Sequence, residues 1–166
     1  MKARPETLTQ NTVAVSAEAV QCQEILEKQC ALLGISLGQS QLLQFGRYFD
    51  LLTETNKVMN LTALTSPQDV AVKHYIDSLL CYDKTKMQGR KVIDVGTGAG
   101  FPGIPLKIYD PSLQLILLDS LEKRLKFLQE TVRQLQLKDV SFEHMRAEDA
   151  GRDKMLRGQA DIAVSR

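Results

Sequence analysis

The chain has 166 residues, 43% of them hydrophobic, enough to bury one ordinary core or a core with a helical extension. Its 21 basic and 20 acidic side chains leave a formal charge of +1, so binding to nucleic acid has to rest on local patches and not on bulk positive charge. Cys22, Cys30 and Cys81 are an odd count with no CxxC spacing and suggest neither a disulfide framework nor a zinc site, and no apolar run approaches the roughly 18 residues of a membrane span. A cytoplasmic protein with no metal and no membrane partner is expected.

Residues 1–15 carry no apolar period and are expected to be a flexible N-terminus. From Ser16 to Leu33, the spacing of Cys22, Leu26 and Leu33, with Ile25 and Leu32 beside them, predicts a helix that Gly34 closes. Leu42, Phe45, Phe49 and Leu52 then step by three, four and three, predicting a second helix from Gln39 to about Thr55. A third begins at "SPQD": Ser66 suits the cap, Pro67 the first helical position, and Asp69 a first turn that favours negative charge. Beyond Gly89 short apolar runs, "KVIDV", "LQLILLD", "VSFEH" and "DIAVS", alternate with longer helical stretches. Such alternation predicts an α/β fold with a mostly parallel sheet over 89–166, preceded by a helical cap over 16–88.

The stretch "DVGTGAGFPGIP", Asp94 to Pro105, joins the first predicted strand to a helix starting near Pro102 or Pro105. Gly96, Gly98 and Gly100 fill the turn, where positive φ and absent side chains let a small molecule lie against backbone N–H groups at a helix N-terminus. Gly98, Gly100 and Gly103 also spell GxGxxG, a dinucleotide pattern, but Asp94 two positions before Gly96 gives the Asp-x-Gly-x-Gly-x-Gly order of S-adenosylmethionine (SAM) methyltransferases. In that order the acidic group orients the loop and the ligand's ammonium. Asp119 ends the second strand, where a carboxylate can accept from both ribose hydroxyls of an adenosyl ligand, SAM or NAD alike, or cap the following helix.

Taken together, "NLTAL" (Asn60 to Leu64), "HYIDSL" (His74 to Leu79), "DVGTGAGFPGIPL" (Asp94 to Leu106), "LLDSLEKRLKFL" (Leu117 to Leu128), "RAED" (Arg146 to Asp149) and "SR" (Ser165, Arg166) resemble the bacterial 16S rRNA guanine-N7 methyltransferases, the RsmG or glucose-inhibited division protein B family, over roughly residues 40–166. The resemblance implies a class I SAM-dependent methyltransferase core, Rossmann-like, with SAM as cofactor and 16S rRNA or a small-subunit precursor as partner. It implies that Gly96 and Phe101 border the SAM site, that Asp119 holds the ribose, that Ala147 and Glu148 meet the adenine, and that Arg166 faces the methionine end and the target base. Phe101 is equally readable as a core aromatic.

Between Ser120 and Leu135, Leu121, Leu125, Leu128, Val132 and Leu135 form an apolar stripe opposite Lys123, Lys126 and Arg133. Lys123 and Arg124 occupy the first turn, where the helix dipole disfavours cations, and with Arg146 they are candidates for phosphate or cofactor contact. His74 and Asp77, three apart, read either as a pair on an exposed face or as part of a helix closing over the pocket. No general base is expected, because guanine N7 already presents a lone pair and has no proton to lose. Three other readings remain open: a Rossmann oxidoreductase using NAD, a small-molecule or protein methyltransferase, and an inactive SAM-binding fragment. A class I sheet usually has seven strands, and four can be counted. The chain is therefore expected to be C-terminally truncated, with a guanine pocket lacking one wall and an open sheet edge prone to self-association.

Overall fold

The computed structural model describes residues 14–166; the N-terminal stretch expected to be flexible falls, for residues 1–13, outside the described residues, and Val15 is half-buried against the core. Helix α1 (Ala17–Leu32) starts where the Ser16 hydroxyl accepts the Ala19 N–H, and Ser16 also donates from its N–H and hydroxyl to Asp50, tying the cap to α2 (Gln39–Met59). The buried stripe of α1 is Ala19, Cys22, Leu26 and Cys30. It ends one turn before the expected Leu33: Leu32 and Leu33 are exposed, because the helix closes there and Gly34 turns the chain at φ +72°. Helix α2 buries Leu42, Phe45, Phe49 and Leu52 as expected, with Tyr48 beside them, and runs one turn past Thr55 to a left-handed Asn60 at φ 48°.

Ser66 caps α3 (Pro67–Asp69) by accepting the Asp69 N–H. The coil then widens into a π-helix over Val70–Ile76 and narrows again in α4 (Asp77–Leu79), followed by the short α5 (Lys84–Met87). Four strands follow, β1 (Lys91–Val95), β2 (Gln114–Asp119), β3 (Val140–His144) and β4 (Ile162–Val164), all parallel, in the order β3-β2-β1-β4. Helices α6 (Gly103–Tyr109), α7 (Glu122–Gln134) and α8 (Ala147–Ala150) connect them. Five of the six residues of β2 are buried, the pattern of a strand covered on both faces.

One apolar cluster runs from α1 through α7. Polar ties cross it: Gln41 donates to the Ile108 and Tyr109 carbonyls and Gln44 to that of Leu135, so α2 lies against both α6 and α7. The order of the strands reverses at β1, where the chain leaves the β2–β3 side to place β4 opposite. In open parallel sheets the crevice outside the carboxyl ends at such a reversal is where ligands bind.

Candidate functional site

Three segments leave the sheet at that edge. The glycine turn follows β1, Asp119 closes β2, and Arg166 follows β4, whose end is tied to β1 by the Ser165 hydroxyl donating to the Val95 carbonyl at 2.9 Å. The register pairs Asp119 with His144, so Arg146 at the start of α8, with Ala147 and Glu148 in its first turn, leaves the sheet at the same edge; all three are exposed.

Asp94 is fully buried. Its Oδ2 accepts the Thr97 hydroxyl at 2.7 Å and the Gly103 N–H at 2.9 Å, bracing both ends of the turn, while Oδ1 is buried with no partner among the described residues. Burial pushes its pKa up to about 6, against the pull of the Thr97 and Gly103 hydrogen bonds and the Arg166 charge. Most turn N–H groups are already used: Gly96 and Thr97 donate to Leu118, Gly98 to Asp119, Gly100 and Phe101 to Thr97. Among the described residues few N–H groups of the turn are therefore left without a partner inside the protein.

The glycines divide into two kinds. A Cβ at Gly96 (φ +71°) would meet nothing within 4 Å, and one at Gly98 (φ +60°) only the Gly96 carbonyl at 3.9 Å, so both face open space. At Gly100 (φ +103°) a Cβ would lie 2.6 Å from the Tyr48 hydroxyl and 2.8 Å from both Ile104 and Leu128. The close neighbour at Gly100 is the protein itself, and Tyr48 fixes the turn there by donating to the Ala99 carbonyl at 2.5 Å.

Asp119 is 2% exposed. Its Oδ2 accepts the Gly98 N–H at 2.9 Å and faces Arg124 Nη1 at 3.4 Å, and its Oδ1 accepts the Leu121 N–H at 2.9 Å. It thus supports the start of α7 as well as the turn. Lys123 is exposed, Lys126 pairs with Glu122 and Arg133 with Glu130 on the surface of α7. Leu121, expected in the apolar stripe, is exposed because it precedes the first helical residue; Phe127 and Thr131, outside the expected stripe, are buried.

His74 does not lie on an exposed face: it is 7% exposed, its ring stacked on Phe101 at 4.3 Å with 6° between planes, whereas Asp77 is exposed. In the wider π turn, residues three apart diverge from the common face that α geometry gives them. Phe101 is a core aromatic, touching Tyr48 and Tyr75 as well, and the Arg166 guanidinium lies 5.1 Å from its ring centroid. Arg166 donates to the Lys73 carbonyl at 2.7 Å, to His74 Nδ1 at 2.8 Å and to Asp77 at 3.2 Å. Thr62, Thr97 and Tyr48 were not singled out by the sequence reading. Tyr48 falls three residues after Phe45 on the α2 stripe, and Thr62 lies within "NLTAL"; only their partners reveal their roles.

Residues 41–166 match the sequence model of GidB, rRNA small subunit methyltransferase G. The chain belongs to this family. It is 50% identical over 143 residues to the ribosomal RNA small subunit methyltransferase G of Alkaliphilus metalliredigens, covering 86% of this chain and 60% of that protein. The protein of the same name from Leuconostoc citreum is 50% identical over 136 residues, 80% of this chain and 57% of its own length. The chain thus spans about three fifths of the curated relatives it matches. A solved SAM-dependent methyltransferase from Aquifex aeolicus aligns at 26% identity over 55% of this chain and 47% of its own, with a TM-score of 0.39.

Membership of the methyltransferase G family implies SAM as cofactor, and the residues at the sheet edge fit it. Among the described residues Asp94 Oδ1 lacks a partner, a side chain at Gly96 or Gly98 would enter open space, and the Asp119 carboxylate, with about four acceptor positions, is engaged by two close donors and the longer contact to Arg124. Among the described residues no helix is long and apolar enough to cross a membrane, and no group of three or more His, Cys, Asp or Glu could hold a metal ion.

Proposed function

We propose that the chain provides the SAM-binding half of an enzyme that methylates N7 of a guanine in 16S rRNA, in the cytoplasm. The observation that carries this is the open side of Gly96 and Gly98 in a turn braced by the buried Asp94, at the sheet reversal of a chain from this family. The GxGxxG order of Gly98, Gly100 and Gly103 and the Asp119 carboxylate also suit NAD. The acidic residue two positions before the first glycine and the family membership favour SAM.

In this reading residues 89–166 are the SAM-binding core and 16–88 cap it. Asp94 meets the ammonium, the Gly96–Gly98 backbone borders the amino-acid end, Asp119 takes the ribose hydroxyls, and Ala147 and Glu148 border the adenine. Gly100 and Phe101 shape the turn from behind, and Arg166 faces the methionine end and the target base. Bound SAM supplies an electrophilic methyl on a sulfonium. The protein's part is to hold the guanine in line and keep water away, with no side chain required as a base because N7 carries its own lone pair. Lys123, Arg124 and Arg146 give the sheet edge a local positive character suited to RNA phosphate, and His74 shapes the substrate side. The free edge of β4 is proposed to promote self-association, which sedimentation velocity over a concentration series detects or refutes.

The test is transfer of labelled methyl from SAM to 16S rRNA or to 30S particles, followed by nucleoside mass spectrometry; label absent from 7-methylguanosine under both conditions refutes the reading for this chain. Arg146→Ala is expected to weaken rRNA affinity and leave SAM affinity unchanged. SAM binding itself carries a pH signature. An ammonium favours ionised Asp94, whose pKa lies near 6, so binding releases a proton below that value. Affinity should therefore rise with pH up to about 6 and level off above it, and Asp94→Asn should be weaker and flat over the same range, as read by calorimetry. A wild-type profile flat from pH 5 to 7 removes Asp94 from the ligand.

A further inference from the structure

The segment "NLTAL" has no part in the cofactor site, yet its threonine reaches the cluster around Arg166. Thr62 Oγ1 lies 2.8 Å from His74 Nε2 and accepts the Leu64 N–H at 3.0 Å, while the Thr62 N–H donates to Asn56 Oδ1 at 2.9 Å. On the other side of the imidazole, Nδ1 lies 2.8 Å from Arg166 Nη2. A guanidinium has donors only, so Nδ1 must be the bare acceptor, and the single proton of the neutral ring must sit on Nε2 and point at Thr62. The partners on both sides fix the tautomer.

We propose that Thr62 and His74 form a positioning relay for Arg166, in which the neutral imidazole, protonated on Nε2, sets the rotation of the guanidinium across the sheet reversal. This rests on the reading that Arg166 faces the methionine end of SAM. The Lys73 carbonyl and the Asp77 carboxylate both bind Nη1, and neither engages Nη2. Among the described residues only His74 binds the second terminal nitrogen, and it does so from a ring held flat on Phe101. The surroundings keep the ring uncharged. Burial pushes its pKa down to about 4 and the Arg166 charge acts in the same direction, while Asp77 and Asp69 oppose; Lys73, the remaining cation on that helix, is exposed and paired with Asp69 at 2.7 Å. A protonated ring would turn an N–H toward the guanidinium and push it away.

The chain has two histidines, so nitrogen NMR on histidine-labelled protein resolves both rings, and His144→Gln identifies the signal of His74. At pH 7 His74 is expected to show a bare Nδ1 and a protonated Nε2, unchanged down to about pH 5. A proton on Nδ1, or titration near the ordinary value of about 6.5, overturns the relay. The second arm is SAM calorimetry. His74→Phe keeps the ring stacked on Phe101 but removes both nitrogens, and is expected to bind SAM roughly ten- to a hundredfold more weakly. His74→Asn places an amide oxygen near the position of Nδ1 and should recover part of the loss. Equal affinity in wild type and His74→Phe refutes the positioning role. A wild type that binds no SAM refutes the cofactor reading instead, and the ring protons alone then decide the relay.

Discussion

Replacing Gly100 by alanine is expected to destabilise the chain by about 2–5 kcal/mol, a large share of the ~5–15 kcal/mol that holds a typical domain folded. Two costs add. A residue at φ +103° pays roughly 1–2 kcal/mol for a conformation that L side chains avoid, and the new methyl would overlap the Tyr48 hydroxyl, Ile104 and Leu128, at a further ~1–3 kcal/mol for overpacking. Tyr48 cannot retreat freely, because it is fully buried and holds the Ala99 carbonyl. Gly96→Ala is the comparison: the same backbone penalty of roughly 1–2 kcal/mol applies, but the methyl enters open space. Urea unfolding of the two variants should place Gly100→Ala well below Gly96→Ala, while Gly96→Ala is the one expected to impair SAM binding in a folded protein. Equal stabilities would mean that the Tyr48 side of the turn is looser than its contacts indicate.

The second large effect is expected at Asp119. Asp119→Ala should weaken SAM binding by about 1.5–3 kcal/mol, the usual contribution of hydrogen bonds to a charged acceptor. It also releases the N–H groups of Gly98 and Leu121, so a lower melting temperature should accompany the loss of affinity. Arg124→Ala separates the two roles. It leaves both backbone N–H bonds in place and removes the guanidinium that shares Oδ2 at 3.4 Å, so SAM affinity should hold or improve, and rRNA affinity should fall. Calorimetry with the three proteins decides the matter: unchanged SAM affinity in folded Asp119→Ala removes the ribose assignment.

The parallel sheet was legible because its four apolar runs are short, regularly spaced and bounded by polar turns, and the carboxylates at the strand ends stood out as charge at the close of apolar runs. The helical stripes of α2 were legible for the same reason of period. What escaped the sequence depends on partners distant along the chain. Nothing local distinguishes Gly100 from Gly98; the difference is Tyr48, whose hydroxyl bonds the Ala99 carbonyl 51 residues along the chain. Of the two readings of His74 and Asp77, the exposed pair rests on α-helical geometry for a spacing of three, and the π turn over Val70–Ile76 breaks that rule without any proline or glycine to signal it. Leu33 and Leu121 were assigned to buried stripes because periodicity says nothing about where a helix stops, and both lie at helix ends.

The shortest strand brings the arginine. β4 has three residues, ladders on β1 alone among the described residues, and its first anchor, the Asp161 carboxylate on the Lys91 N–H, joins positions 70 apart along the chain. The glycine turn is clasped by bonds from β2, α2 and its own residues, whereas the strand that carries Arg166 joins the sheet by a brief ladder that closes a long loop, its guanidinium resting on the π-helix. The two halves of one site therefore belong to units of unequal local stability. Amide exchange at Ile162, Ala163 and Val164 should proceed through opening events that leave β1 and β2 protected, so the anionic pocket around Asp94 and Asp119 outlasts the cation that faces it.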